Sequence, residues 1–273
     1  MTVDLRRALA VAQELALAAG ADLLQRRAAA AAQPESKGVR RELVTAADRA
    51  AEAIVVGGLR RAFPDHAVLA EEGGLTAAAG HGAAEWTWIV DPLDGTTNYV
   101  HGLPHFAVAI ALARGGEPAL GVVHAPALGD TYAGARGLGA VVRRADGSSR
   151  PLRVSATADL ADALLATGFS YVRNEPGRDD NSGHVADLLP HCRDLRRLGS
   201  AELDLCYVAA GAFDGYWELY LAPYDKAAGA VLVREAGGRV TDWAGGDDWL
   251  YGERVLASNG VLHAELRRRL NGG

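Results

Sequence analysis

The 273-residue sequence contains few cysteines and no long apolar run. Its two cysteines, Cys192 and Cys206, are spaced like neither a zinc site nor a redox motif. Since disulfides are rare in reducing compartments, both are predicted to be reduced thiols of a cytoplasmic protein. No stretch approaches the roughly 20 apolar residues of a membrane span. Residues 1–7 also lack the apolar segment of a signal peptide. We therefore expect neither a membrane protein nor a secreted one.

Clustered positive charge is also scarce. The formal net charge is −6, and the longest basic run is Arg267-Arg268-Arg269. Nucleic-acid binding through phosphate neutralisation therefore receives little support, and no nucleic-acid partner is expected. The chain is 49% hydrophobic, which indicates a compact protein with one large domain or two closely joined halves.

The first half of the sequence predicts two helices on a largely antiparallel sheet. Apolar residues recur at three- and four-residue steps over residues 3–30, which favours an amphipathic helix. Residues 45–48 have the form of a capping box, and the helix they begin is expected to end near Ala62, before Pro64. Short strand-like runs follow at residues 67–70, 86–90, 106–112, 120–124 and 140–143.

Beyond residue 150 the pattern alternates between strand and helix, which favours an α/β second half. We predict a boundary there, with residues 1–150 and 151–273 as the two halves and the second completing the active site. The predicted strands are residues 164–167, 216–219, 239–241 and 255–257, and the predicted helices are residues 181–189, 201–210, 225–236 and 261–270.

The strongest chemical signal is the segment Asp91-Pro-Leu-Asp-Gly-Thr-Thr97, which directly follows the apolar run 86–90. The proline and glycine favour a turn that gathers both aspartates at the strand end. Carboxylates suit Mg²⁺, which prefers oxygen ligands and leaves positions for water and phosphate. A helix beginning at the threonines can hold a phosphate at its N–H groups. Taken alone, the segment also fits an Asp-Gly turn with capping threonines.

Further acids follow the same pattern in other segments. Glu71 and Glu72 also end a short apolar run, so two strands carry paired acids at their ends. Asp225 opens the helix predicted over residues 225–236, and Asp48 belongs to the capping box. Each alone fits a solvated pair or a helix cap, but together they suggest converging metal ligands.

The histidines suggest a different metal site. His101, His105 and His124 are a conceivable zinc set. The four-residue spacing of the first two needs a helix, and Pro104 opposes one. A histidine-based site is therefore not favoured.

Taken together, these motifs resemble the inositol monophosphatases. The pattern Asp91-Pro-Leu-Asp-Gly-Thr96 continues as Thr97-Asn-Tyr-Val-His101, and a second signature is Tyr224-Asp-Lys-Ala-Ala-Gly229. The similarity extends from Lys37 to Gly238. With this resemblance added to the element pattern, we predict an α+β protein, a layered αβαβα sandwich with an antiparallel-sheet N-terminal half and an α/β C-terminal half. The second signature leads into Glu235-Ala-Gly-Gly238. Weaker matches are Lys37 with residues 43–48, residues 70–72 and residues 197–201.

The resemblance implies hydrolysis of a small phosphate monoester by metal-activated water. Two Mg²⁺ ions are expected, with a third, looser one near Glu71. Asp48 and Thr96 would orient and deprotonate the water, and Lys37 would lie on a loop that closes over the site. The implied ligands are Glu71, Asp91 and the Leu93 carbonyl for the first ion, and Asp91, Asp94 and Asp225 for the second.

Substrate contacts also follow from the resemblance. N–H groups of Gly95, Thr96 and Thr97 would hold the phosphate. Lys226 departs from the family's usual apolar or small residue, and it would either pair with Asp225 or point into solvent. The organic moiety would be contacted by Glu218, by the backbone at Gly199, Ser200 and Ala201, and by Asp94.

Several functions remain open at this stage. The leading one is hydrolysis of myo-inositol 1-phosphate, because Thr97-Asn98 differs from the bulkier pair usual in histidinol-phosphate phosphatases. Histidinol-phosphate phosphatase and fructose-1,6-bisphosphatase are the two enzymatic alternatives. The third alternative is a regulatory protein that binds metal and phosphate without catalysis. The resemblance also implies lithium sensitivity and a homodimer.

Overall fold

The computed structural model describes residues 3–30, 35–36, 43–44, 46–79 and 84–272. Their helices are α1 (Leu5–Ala30), α2 (Ala46–Ala62), α3 (Thr96–Val100), α4 (Ser182–Leu188), α5 (Ala201–Ala209), α6 (Ala227–Glu235) and α7 (His263–Leu270). Their strands are β1 (Glu35–Ser36), β2 (Leu43–Val44), β3 (Ala67–Ala70), β4 (Gly74–Thr76), β5 (Trp86–Asp94), β6 (Ala107–Arg114), β7 (Glu117–Ala125), β8 (Asp130–Ala135), β9 (Gly139–Arg143), β10 (Ser149–Pro151), β11 (Leu164–Thr167), β12 (Asp194–Arg196), β13 (Gly215–Leu219), β14 (Arg239–Thr241) and β15 (Arg254–Ser258).

The described elements stack in five layers, so the predicted αβαβα sandwich is confirmed. Helices α1 and α2 cover one face of the larger sheet, and α5 and α6 cover its other face. The same two inner helices pack on the smaller sheet, whose far side carries α7 and, against it, α4. Layers arise because each sheet must bury its apolar faces against another element.

The larger sheet has the order β10-β9-β8-β7-β6-β5-β3-β4. Its pairs are antiparallel except for β3 with β5, so the prediction of a largely antiparallel sheet is confirmed. Strand β8 was not predicted, because its sequence Asp-Thr-Tyr-Ala-Gly-Ala offers small residues rather than an apolar alternation. In β5, an irregularity between Asp91 and Asp94 interrupts the pairing with β6.

The smaller sheet has the order β12-β11-β13-β15-β14, with β11 parallel to both of its neighbours. One predicted boundary is wrong: α6 begins at Ala227, whereas Asp225 ends a separate 3₁₀ turn, Pro223–Asp225. The turn closes on itself because the Ala222 N–H donates to Asp225 Oδ2 at 2.6 Å. Lys226 lies between the two helical segments with a non-helical backbone.

The two inner helices are buried along nearly their whole length because they lie between both sheets. Their close approach depends on small residues: a Cβ on Gly121 of β7 would collide with the Ala228 carbonyl oxygen. One apolar cluster therefore includes residues from both halves of the chain, among them Ile89 and Leu203. The predicted domain boundary stays a prediction. Within the described ranges, no helix is long and apolar enough to cross a membrane.

His263, at the start of α7, provides a test of the packing. It is 1% exposed, and its ring nitrogens lie 2.9 Å from Thr241 Oγ1 and 2.8 Å from Ser258 Oγ. Burial lowers the pKa of His263 to about 4, and Arg239 and Arg267 add to the effect. Below a pH of about 6.5, the unfolded chain therefore binds a proton that the folded chain does not. The free energy of unfolding consequently decreases as the pH is lowered.

We expect the wild type to lose about 2 kcal/mol more stability between pH 7 and pH 5 than His263→Gln loses. Urea unfolding of both proteins at pH 7, 6 and 5 measures this difference. Comparing the slopes removes the contribution of the other titrating groups, which the two proteins share. Equal slopes would show that His263 titrates normally in the folded state.

Candidate active site

A cavity of about 140 Å³ opens where the end of β5 meets the first turn of α5 and the end of β13. Most of the residues predicted from sequence line it together. They are Glu71, Asp91, Leu93, Asp94, Gly95, Thr96, Gly199, Ser200, Ala201, Glu218 and Asp225. Asp48 lies directly behind this lining, while Lys37 lies outside the described residues.

The end of β5 places two buried carboxylates side by side. Asp91 faces Ala109 across the sheet and Asp94 faces Ala107, and the two residues between them leave the regular pairing. Asp91 is 2% exposed and Asp94 is 6% exposed. The Leu93 N–H donates to Asp91 Oδ1 at 2.9 Å, which fixes the turn within the strand end.

Four carboxylates, those of Glu71, Asp91, Asp94 and Asp225, form what we call the acid cluster. Burial raises the pKa of Asp91 well above its usual range, and the charges of the other three raise it further. Burial also raises the pKa of Asp225, with Glu71 and Asp94 adding to it. Mutual repulsion of this kind disappears when a cation enters the site.

Asp94 is held by the N-terminus of α5. Its carboxylate accepts hydrogen bonds from Ser200 Oγ at 2.5 Å, from the Ala201 N–H at 3.2 Å and from the Glu202 N–H at 2.8 Å. Burial raises the pKa of Asp94 to about 6, and these hydrogen bonds oppose the rise. Two of the predicted substrate contacts, Ser200 and Ala201, thus bind Asp94 in this structure.

The segment after Asp94 turns sharply into α3. Gly95 has φ 88°, and a Cβ there would lie 2.9 Å from the His105 carbonyl oxygen. Thr96 Oγ1 lies 3.1 Å from the Leu93 carbonyl oxygen and 3.2 Å from Asp48 Oδ1, and Asp48 is fully buried on α2. Thr97 is not among the residues that line the cavity, and its hydroxyl lies 3.4 Å from that of Tyr171.

The end of β13 adds another acidic side chain to the cavity lining. Glu218 on β13 accepts a hydrogen bond from the Tyr216 hydroxyl at 2.5 Å. Burial raises the pKa of Glu218 to about 7, whereas Tyr216 and Arg197 lower it. Gly168 makes room for this carboxylate, since a Cβ at Gly168 would collide with it.

Several residues that line the cavity were not predicted as site residues from the sequence, among them Asp204 and Arg197. Asp204 is 2% exposed, and its Oδ1 has no hydrogen-bond partner among the described residues. It lies one helical turn after Ser200, to which its N–H donates. The spacing of four residues on a predicted helix was the available signal, because it places both side chains on one face.

Lys226 does not point into solvent, so that alternative is wrong. The side chain is fully buried, and Nζ donates to the Gly252 carbonyl at 3.0 Å. Burial lowers the pKa of Lys226 to about 8, and the charges of Asp225, Asp248 and Glu218 oppose the change. The expectation of an exposed Lys226 assumed that it lies in the first turn of a helix beginning at Asp225. Instead, Lys226 directly follows the 3₁₀ turn Pro223–Asp225, and this explains its different orientation.

The donor set of the acid cluster fits Mg²⁺, since carboxylate oxygens are its preferred protein ligands. In the described part of the chain, no three acidic, imidazole or thiol groups already close around one point. The cluster is therefore a set of ligands facing one cavity, which a cation would draw together. No described histidine lines this cavity, and His124 instead lies 2.9 Å from Thr131 Oγ1.

The fold and the cavity define a layered αβαβα protein with an acidic cavity lined by residues of both sheets and of α5. A family model described as the inositol monophosphatase family matches residues 4–272. The chain belongs to the inositol monophosphatase family.

Similar proteins and solved structures support the same family assignment. An inositol-1-monophosphatase of Synechocystis is 42% identical over 98% of this chain and 90% of its own length. The protein named Nus factor SuhB of Pseudomonas aeruginosa is 44% identical over 80% of this chain and 79% of its own. The structure of the Anabaena inositol monophosphatase is 42% identical with a TM-score of 0.86, covering 98% of this chain and 97% of that one. The structure titled Mycobacterium tuberculosis SuhB is 34% identical with a TM-score of 0.81, covering 99% and 98%.

Gly95 gives a test of the turn that carries the site. Gly95→Ala combines an unfavourable positive φ with contacts to two carbonyl oxygens, those of His105 at 2.9 Å and Gly199 at 3.1 Å. Gly102→Ala is the matched control, because φ is 78° there and a Cβ meets nothing within 4 Å. We expect about 1–2 kcal/mol of lost stability for the control and a larger loss for Gly95→Ala. Equal losses in urea unfolding would contradict the tight packing around Gly95.

Proposed function

We propose that this protein hydrolyses a small phosphate monoester with Mg²⁺ and water, and that myo-inositol 1-phosphate is its leading substrate. The observation that carries the proposal is the acid cluster, four carboxylates lining one cavity beside the turn at Gly95 and Thr96. Such a cavity repels a phosphate unless a cation is bound, so metal and phosphate are expected to bind together. Family membership supports the same reaction class.

Bound Mg²⁺ would supply an acidified water and would neutralise charge on the phosphate. Asp91 would contribute to both ions, with Glu71 and the Leu93 carbonyl at the first and with Asp94 and Asp225 at the second. The chain itself holds two of these carboxylates in place, through hydrogen bonds to Asp91 and Asp94.

Asp48 and Thr96 would accept the proton of the attacking water. The Thr96 hydroxyl lies 3.2 Å from Asp48 Oδ1, so it can pass a proton from the attacking water to that buried carboxylate. The first N–H groups of α3, from Gly95 to Thr97, have no partner within the helix, because a helix leaves its first donors unpaired. Gly95 and Thr96 line the cavity, so their N–H groups are suited to the phosphate oxygens.

The wall formed by Glu218 and Asp204 supports a polyol as the leaving group. Carboxylates accept hydrogen bonds from hydroxyls, and Asp204 Oδ1 has no other partner in the described structure. The same acids also suit an amine, which keeps histidinol phosphate as the enzymatic alternative. Fructose 1,6-bisphosphate is a weaker one. Some relatives bear the name Nus factor SuhB, so a chain that binds without turnover stays an alternative to test.

Phosphate release from a substrate panel tests the proposal. The panel is myo-inositol 1-phosphate, histidinol phosphate, fructose 1,6-bisphosphate and adenosine 3′,5′-bisphosphate, each with Mg²⁺ and with excess chelator. We expect the highest kcat/KM for the inositol ester and no turnover in chelator. Equal turnover without metal would contradict the metal mechanism. Mg²⁺ binding without turnover of any ester would favour the non-catalytic alternative.

Glu218→Ala tests the leaving-group wall. We expect kcat/KM for myo-inositol 1-phosphate to fall about 10-fold or more, because hydroxyl groups of the substrate lose their acceptor. Turnover of p-nitrophenyl phosphate, whose leaving group enters the site without vicinal hydroxyls, serves as the matched comparison and is expected to change little. If both esters lose activity equally, Glu218 supports the site as a whole and does not select the substrate.

The assembly and the compartment stay predictions. A homodimer, a cytoplasmic location and inhibition by lithium rest on the resemblance to the family. Light scattering of the purified chain tests the first of these.

A further inference from the structure

Glu202 is a buried acid that the proposed reaction does not use. It is the second residue of α5 and is fully buried. It does not line the cavity, and both of its carboxylate oxygens accept backbone hydrogen bonds. Because Glu202 does not line the cavity, it is not one of the candidate metal ligands.

Glu202 makes hydrogen bonds on two sides, through its backbone N–H and through its carboxylate. On one side, the Glu202 N–H donates to Asp94 Oδ2 at 2.8 Å. On the other, its side chain reaches α6, where Oε1 accepts from the Ala228 N–H at 3.0 Å and Oε2 from the Gly229 N–H at 2.5 Å. These two donors belong to the first turn of α6, which offers unpaired N–H groups and a positive helix end to a carboxylate.

The first turn of α6 lies directly after the other end of the acid cluster. Asp225 precedes Ala227 by two residues, and its own carboxylate accepts from the Ala222 N–H at 2.6 Å. The helices also meet closely at this point, because a Cβ on Gly229 would lie 2.5 Å from Leu205 Cβ and 2.7 Å from Glu202 Oε2. Only glycine at position 229 permits both the packing and the hydrogen bond.

We propose that Glu202 is a positioning residue that fixes the separation of Asp94 and Asp225, and thereby sets the Mg²⁺ affinity of the second metal position. The proposal rests on the proposed function for the identity of the ion. The link is a series of carboxylates at helix N-termini: Asp94 binds α5, and Glu202 of α5 binds α6, next to Asp225. A shift of α6 against α5 would move one ligand of the ion away from the other.

The test compares Glu202→Gln and Glu202→Ala with the wild type. Glutamine keeps the size of the side chain but turns one acceptor into a donor, so one of the two N–H groups loses its partner. The first readout is the rise in melting temperature with Mg²⁺ concentration, which gives a Kd without any substrate. The second is phosphate release, with the Mg²⁺ concentration for half-maximal activity measured separately from the substrate KM at saturating Mg²⁺.

We expect Glu202→Gln to raise the Kd for Mg²⁺ about 10-fold, in the range found for residues that orient metal ligands. The KM at saturating Mg²⁺ is expected to stay within about twofold of the wild-type value. Glu202→Ala is expected to shift the Kd further in the same direction, because it removes both hydrogen bonds. If the alanine variant does not fold, the glutamine variant decides the question.

Asp214→Asn is the matched control. Asp214 is also a buried carboxylate, accepting from the Leu164 N–H at 2.7 Å and from Ser155 Oγ at 2.5 Å, but it does not line the cavity. This variant is expected to lose thermal stability and to keep the wild-type Kd for Mg²⁺. A wild-type Kd in Glu202→Gln, or the same shift in Asp214→Asn, would overturn the proposal.

The two proposals can fail separately. If the wild type binds Mg²⁺ but hydrolyses no ester of the panel, the proposed function fails, and the Kd values still decide the role of Glu202. If the wild type is an active Mg²⁺-dependent phosphatase and Glu202→Gln keeps its Kd, only the positioning role fails. A wild-type chain whose melting temperature does not respond to Mg²⁺ would overturn both.

Discussion

Electrostatic repulsion between buried carboxylates is the constraint around which this structure is arranged. Asp91 and Asp94 lie at the end of one strand, and their charges raise each other's free energy together with those of Glu71 and Asp225. Bulk water relieves little of this repulsion, because Asp91 and Asp94 are only 2% and 6% exposed. The chain must therefore hold the acids in place by other contacts.

Backbone N–H groups provide most of those contacts. The N-terminus of α5 binds Asp94, the 3₁₀ turn at Pro223–Asp225 binds Asp225, and the turn at Leu93 binds Asp91. These donors belong to the backbone and cannot rotate away as side chains can, so they keep Asp91, Asp94 and Asp225 facing the cavity. The layered fold serves this arrangement, because it directs the first turns of two helices and the end of β5 toward one cavity.

The sequence predicted the part of the site that local motifs encode, and missed the part that depends on packing. Asp91 and Gly95 belong to one short segment, so their proximity follows from chain geometry. Asp204 and Glu202 have no motif of their own, and their roles depend on which face of α5 meets the cavity and which meets α6. The layered fold was predicted because apolar periodicity survives in most elements, whereas β8 lacks it.

Lys226 places a positive charge near the acids without blocking the proposed metal site. Its ammonium lies close enough to Asp225 and Glu218 for their charges to raise its pKa, which burial lowers. An ammonium bonded directly to Asp225 would compete with Mg²⁺ for the same oxygens. Instead, Nζ donates to the Gly252 carbonyl. The positive charge therefore reduces the repulsion within the cavity wall while the carboxylate of Asp225 stays available to a divalent ion.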